Sequence, residues 1–175
     1  MSTAVSPRSS KLFTGAAIVM GVTSCGKTSV GEALALRLGV DFIEGDRLHP
    51  PANIAKMSAG TPLTDTDRWP WLGEIGMRLS GPDGQIASCS ALKRSYRQAL
   101  SNAAGRPICF IYLYGSRELL AERISKRAGH FMPPSLLESQ LATLEEPGNG
   151  ETFVALDVAL PVAGIVSQAA AFLLA

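Results

Sequence analysis

Aromatic side chains are scarce in this sequence, at 6% of 175 residues, so a core must be built mainly from aliphatic ones. Cysteine is scarcer still. Cys25, Cys89 and Cys109 form an odd, scattered set with no CxxC pair, which excludes a disulfide framework and a cysteine-based zinc site. That usage fits a reducing compartment, and the cytoplasm is the expected location. An excess of charge of one sign is also missing. Sixteen Lys and Arg face fifteen Asp and Glu, a net +1, which argues against a nucleic-acid-coating surface and against an acidic disordered tail. No run approaches the roughly 18–20 apolar residues that cross a bilayer, so neither nucleic acid nor membrane is an expected partner. The apolar stretch from Leu12 to Val22 follows Arg8 and Lys11, as a leader would, but it runs directly into a phosphate-binding motif and reads as a strand instead.

Hydrophobic residues make up 46% and charged residues 18%, enough to fill the core of one domain. Residues 1–14 are polar and Ser-rich and read as a disordered tail, with a single domain over 15–175. The runs Ala16–Gly21, Val40–Ile43, Gln85–Cys89, Pro107–Tyr114 and Thr152–Val158 read as strands. Helical spacing or punctuation marks Thr28–Leu38, Pro50–Ala59, Asp67–Leu79, Leu92–Ala103, Arg117–Arg127, Ser135–Leu144 and Val162–Leu174. Strands alternating with helices in this rhythm predict a three-layer α/β fold around a mostly parallel sheet.

The strongest motif is Gly21-Val22-Thr23-Ser24-Cys25-Gly26-Lys27-Thr28, which matches GxxxxGK(S/T) between a buried strand and a helix. Its glycines let successive amides turn toward phosphate oxygens, and the helix behind it offers its positive end to the same anion. Residues 21–28 and Ser29 are therefore the expected nucleotide cradle, with Lys27 on the β- and γ-phosphates of ATP and the Thr28 hydroxyl on Mg²⁺. No NKxD-type guanine-reading sequence accompanies it, which leaves a small phosphotransferase. At the end of the second strand, Asp46 lies where a doubly wound sheet places its ligands. A carboxylate there can take a proton from an attacking hydroxyl or hold a Mg²⁺-bound water. His49, just before Pro50 and Pro51, suits a supporting role as well as a substrate contact. Lys93 and Arg97, four apart, can serve one anion together, and Arg123 and Arg127 repeat that spacing. Ser24, in the middle of the loop, is strained if its position needs a positive φ. Cys25 beside loop amides suggests a reactive thiol, against the plainer reading of a small filler.

The stretches EGDRLHPPANIAKMSAGTPLTDTDRWPWL, CSALKRSYR and RISKRAGHFMPPSLLESQLATLEEP resemble the gluconokinase family, from about Ile18 to Val158. The resemblance implies a P-loop kinase fold similar to shikimate kinase, with a five-stranded parallel sheet, a helical substrate region and a lid at about 126–135. It implies ATP and Mg²⁺ as cofactors, D-gluconate as the substrate phosphorylated at its 6-hydroxyl, and a homodimer. Residue by residue, it makes Asp46 the base or Mg²⁺ organiser and puts Lys56 and Arg68 in the substrate region. Arg68 is then the residue expected to hold the gluconate carboxylate, with Lys93, Arg97, His49 and His130 contributing to the pocket. Arg127 or Arg123 would close on the transferring phosphate. The rival readings are a shikimate- or nucleotide-type kinase, and a nucleotide-binding regulator weakened by Ser24-Cys25.

Overall fold

A computed structural model describes residues 12–127 and 134–175. Five parallel strands make one sheet: β1 (Ala16–Met20), β2 (Asp41–Glu44), β3 (Gln85–Ser88), β4 (Ile108–Tyr114) and β5 (Thr152–Asp157). Their order across the sheet is β2-β3-β1-β4-β5. All five residues of β1 are buried, because this strand has a neighbour on each side and helices over both faces. Its alternate side chains feed two cores. Ala17 and Val19 join Val30 and Leu34 of α1 (Lys27–Leu38), Leu120 of α5 (Arg117–Ser125), Leu137 of α6 (Pro134–Thr143) and Ile165 of α7 (Val162–Leu173). Ala16, Ile18 and Met20 join Leu72 and Ile75 of α3 (Asp65–Arg78) and Tyr96 and Leu100 of α4 (Arg94–Ala104). The expected α/β sandwich of three layers is therefore present; the first core is almost wholly aliphatic, while the second gathers Trp71, Tyr96, Phe110 and Tyr112.

The helices α3 and α4 approach closely at Gly76, where an added Cβ would lie 2.7 Å from the Leu100 carbonyl oxygen. Any side chain there would push the pair apart, so the absence of one sets their spacing. Between β2 and α2 (Pro51–Ser58), a 3₁₀ turn at Gly45–Leu48 was not anticipated from the sequence. Two boundaries also differ from expectation. The helix α3 starts at Asp65 because Thr64 caps it: the Thr64 hydroxyl accepts from the Asp67 amide while the Asp67 carboxylate accepts from the Thr64 amide. The helix α4 starts at Arg94, with Lys93 as its N-cap residue, so Lys93 stands just outside the helix. The packed part of the chain also begins earlier than residue 15, since Phe13 is buried in the core and the Thr14 carbonyl accepts from the Arg106 guanidinium.

Candidate active site

The C-terminal ends of β1, β2 and β3 converge on one mouth. From β1 the chain enters the P-loop at Gly21, whose φ of 144° and whose contacts exclude any side chain: a Cβ would lie 2.6 Å from the Leu113 carbonyl oxygen and 2.8 Å from Cys25 Sγ. The loop closes on α1 through Gly26 in the left-handed conformation. That helix has no side-chain cap and no acid in its first turn, in contrast to the doubly capped α3. Its leading amides are thus left for an anion, and Thr28 and Ser29 are exposed beside them. Lys27 Nζ folds onto the Val22 carbonyl at 3.0 Å. Within the cradle, Val22 and Cys25 turn their side chains into the core, so both can meet a phosphate only through the backbone.

The buried Cys25 thiol corrects the notion of a reactive cysteine, because at 1% exposure it is shielded from alkylating reagents. Ser24 does adopt the anticipated positive φ, 62°, and its hydroxyl is buried with no hydrogen-bond partner. Both features are unfavourable. Ser24→Gly is expected to raise the melting temperature by about 2–4 °C, corresponding to about 1 kcal/mol in a chain of this size. Thermal unfolding followed by circular dichroism checks this, and a fall in melting temperature would refute the strain argument.

The carboxylate that meets Thr28 is Glu44, at the end of β2. Thr28 donates its hydroxyl to Glu44 Oε2 at 2.5 Å, and Ser88 donates to Glu44 Oε1. Ser88 is fully buried and also accepts the Gly45 amide at 3.1 Å, so β3 fixes the rotamer of Glu44. Asp46, two residues on, is exposed in the 3₁₀ turn, and no hydrogen bond restrains its carboxylate among the described residues. The carboxylate in contact with Thr28 is therefore Glu44 rather than the expected Asp46, which is left exposed. Sequence reasoning missed Glu44 although the signal was present, since EGD carries two carboxylates at one strand end. No group of three or more His, Cys, Asp or Glu suited to a metal occurs among the described residues. A hydroxyl beside a carboxylate nevertheless offers the hard oxygen donors that Mg²⁺ takes together with nucleotide phosphates.

On the substrate side, Arg68 of α3 donates to the Leu63 carbonyl at 2.7 Å and to the Tyr96 hydroxyl at 3.3 Å. Lys93 Nζ reaches both oxygens of Asp65 at 3.1 Å, Tyr96 donates to the same carboxylate, and Arg68 lies 3.9 Å from it. The hydrogen bond from Tyr96, then that from Lys93, holds the Asp65 carboxyl below its ordinary range. The Arg68 and Lys93 side chains thus already share one carboxylate at the mouth. Lys56 is paired with Asp67 at 2.8 Å, and that bond, with the Thr64 donors, lowers the Asp67 pKa to about 2. His49 is buried and stacks on Trp71 with ring centroids 4.0 Å apart. The Asn53 amide donates to the Asp67 carbonyl and faces His49 Nδ1 at 3.3 Å, which places the imidazole proton on Nε2. Burial keeps the ring neutral by lowering its pKa, despite the opposing pull of Asp46. Trp71 packs inside and donates to the Gly45 carbonyl at 2.8 Å, whereas Trp69 is partly exposed with its edge to Tyr96.

Two expected site residues serve the framework instead. Arg97 is 2% exposed and pairs with Glu151 at 2.5 Å, while its Nη1 donates to the carbonyls of Ala91 and Glu145 at 2.9 Å. It cannot join Lys93 on a substrate anion, because Lys93 precedes the helix and Arg97 points beneath it. Arg123 donates to the Val158 carbonyl at 2.7 Å, which binds α5 to the end of β5. Arg127 closes the described stretch with its amide on the Ile124 carbonyl. His130 and most of the expected lid lie outside the described residues.

A family model described as an AAA domain matches residues 17–147. A gluconokinase from Gluconobacter oxydans is 52% identical over 141 residues, 78% of this chain and 79% of its own length. The chain belongs to the gluconokinase family. A crystal structure of a gluconokinase from Sinorhizobium meliloti 1021 superposes with a TM-score of 0.85 at 56% identity, covering 92% of each chain. A sugar kinase from Janibacter, solved without ligand, gives 0.86 at 42% identity over 91% of this chain and 94% of its own. Membership of the gluconokinase family makes the chain a kinase, and the mouth at the strand ends is where such a kinase would bring its two substrates together.

Proposed function

We propose that the chain transfers the γ-phosphoryl group of ATP to the 6-hydroxyl of D-gluconate, giving 6-phospho-D-gluconate and ADP. The observation that carries this reading is the Thr28–Glu44 contact at 2.5 Å beside the open Asp46, which sets a phosphate cradle, a metal-suited oxygen pair and an unengaged carboxylate side by side. Residues 21–29 hold the phosphates, with Lys27 leaving the Val22 carbonyl to meet them. Thr28 and Glu44 would hold Mg²⁺, which when bound neutralises charge on the phosphates. Asp46 accepts the proton of the attacking hydroxyl. Arg68 and Lys93 hold the gluconate carboxylate, exchanging Asp65 for it, since a guanidinium suits that planar anion. Neutral His49 donates from Nε2 to a substrate hydroxyl. Lys56 positions this region through Asp67, and Arg127, with His130 beyond it, closes over the transferring group. The homodimer and the cytoplasmic location follow from the family resemblance and the cysteine usage. No described helix is long and apolar enough to cross a membrane.

Coupled ADP release with MgATP tests the reading. Release that depends on gluconate is expected. Release with shikimate or AMP and none with gluconate would replace the acceptor, and nucleotide binding without release on any of the three would favour the regulator.

A further inference from the structure

The P-loop carries one contact that neither a phosphate nor the loop itself explains. The Thr23 amide is buried, and its acceptor is Gln140 Oε1 at 2.6 Å, from a helix 117 residues away in sequence. Backbone amides in such a loop ordinarily find phosphates, neighbouring carbonyls or water. Here the acceptor is a side chain on α6, and three further observations make the contact a fixed one. Leu137, one turn before Gln140, is 2% exposed in the same core as Val22 and Cys25, so this face of α6 is turned inward on the P-loop's side of the sheet. The outer face of α6 is held to α5 through the Arg117–Glu138 ion pair, with Nε to Oε1 at 2.8 Å. Just beyond its C-terminus, the Glu145 amide donates to the Leu92 carbonyl at 2.7 Å and the Glu145 carboxylate accepts the Arg94 amide at 2.8 Å. Gln140 therefore projects from a helix fastened along its length, and Thr23 sits between Val22, whose carbonyl takes Lys27, and the strained Ser24.

We propose that Gln140 is a positioning residue for nucleotide binding: by accepting the Thr23 amide it holds the P-loop in the shape that aims the following amides and Lys27 at the phosphates. This role rests on the kinase reading above but not on the identity of the acceptor. An amide side chain suits the task because its carbonyl accepts one hydrogen bond without bringing a negative charge near a polyanion. Loss of the acceptor leaves a buried amide unpaired and lets the loop turn to satisfy it elsewhere.

The test uses the full chain with MgADP as the probe in isothermal titration calorimetry, joined to steady-state kinetics. Gln140→Met keeps the length of the side chain and removes the acceptor. It is expected to weaken MgADP binding by about tenfold and raise KM for ATP similarly, with kcat changed less than twofold, as loss of one buried hydrogen bond would do. Gln140→Glu restores the acceptor and is expected to recover the protection of the Thr23 amide in hydrogen exchange that Gln140→Met loses. If Gln140→Met does not fold, Gln140→Asn, which withdraws the carbonyl by one methylene, carries the same expectations. Parent-like MgADP affinity in the folded variant, even with a lowered melting temperature, would overturn the proposal and leave the kinase reading intact. A parent chain that binds no MgADP would overturn both.

Discussion

Replacing Asp46 by Asn is expected to lower kcat by about 10²–10⁴-fold, the range that a positioned general base contributes. Affinity for MgADP is expected to stay within about twofold, because the proposed nucleotide and metal contacts lie on residues 21–29 and Glu44. The substitution keeps the shape of the side chain and removes its negative charge and its ability to take a proton. Asp46 is suited to show this cleanly: it is exposed in the turn after β2, and among the described residues its carboxylate makes no hydrogen bond, its one bond being the His49 amide on its backbone carbonyl. Stability should therefore be little changed, and the rate effect cannot be attributed to misfolding. Single-turnover phosphoryl transfer beside calorimetric MgADP binding separates the two quantities. Near-normal turnover would remove Asp46 from the chemistry and shift attention to Glu44, whose two oxygens are already engaged by Thr28 and Ser88.

Arg97→Met is expected to cost about 3–5 kcal/mol of stability, the penalty for leaving one member of a buried ion pair alone. At about 2–4 °C per kcal/mol this is a fall in melting temperature of about 6–20 °C. The guanidinium pairs with Glu151 through two nitrogens and donates to the Ala91 and Glu145 carbonyls, so the loop before α4 and the loop after α6 both lose their tie. Ala91 sits at a φ of 46°, a conformation that such a tie helps to hold. The pH dependence has a defined sign. Burial alone would raise the Glu151 carboxyl, but the hydrogen bonds from Arg97 and the Gly148 amide outweigh it and hold it below its ordinary 4.5. The pair's stabilisation is then fully present above about pH 4.5 and is lost as pH falls through the lowered folded-state value. The gap in melting temperature between parent and variant should narrow in that acid range. A variant with parental stability and a raised KM for gluconate would restore Arg97 to the substrate pocket.

The contrast between Arg97 and Glu44 defines what the sequence could and could not convey. Strand and helix positions were legible because burial on two faces leaves runs such as PICFIYLY, and Gly39 and Gly105 stop helices in the left-handed conformation. The cradle was legible down to the strained Ser24, since each position of a P-loop has a fixed backbone task. The i, i+4 spacing of Lys93 and Arg97 states only that two side chains share a helix face if both are in the helix. Lys93 is the residue before it, and the face that Arg97 occupies looks inward at unpaired loop carbonyls that no local pattern reveals. The other basic residues between Lys93 and Arg127 are likewise largely engaged with the protein itself: Arg94 with Asn149, Arg106 with Thr14 and Gly81, Arg117 with Glu138, Lys126 with Glu122. Gln140 was illegible for a related reason: a polar residue in an amphipathic helix reads as solvated until the helix is seen against the loop.

The strand order also governs the sequence of events in folding. The first strand made is the central one, yet its partners are β3 and β4, so residues 16–20 pair only with residues 85–88 and 108–112. Each ladder on β1 needs its own long chain closure, and both must be made before its two edges are paired, a slow entropic route compared with neighbour-to-neighbour assembly. On the ribosome β1 and the P-loop segment wait, with an apolar strand exposed, until residues 85–88 and 108–112 have followed them. Nucleotide can therefore assist only the last stages of folding, because its binding loop exists as a formed object only after β4 has docked.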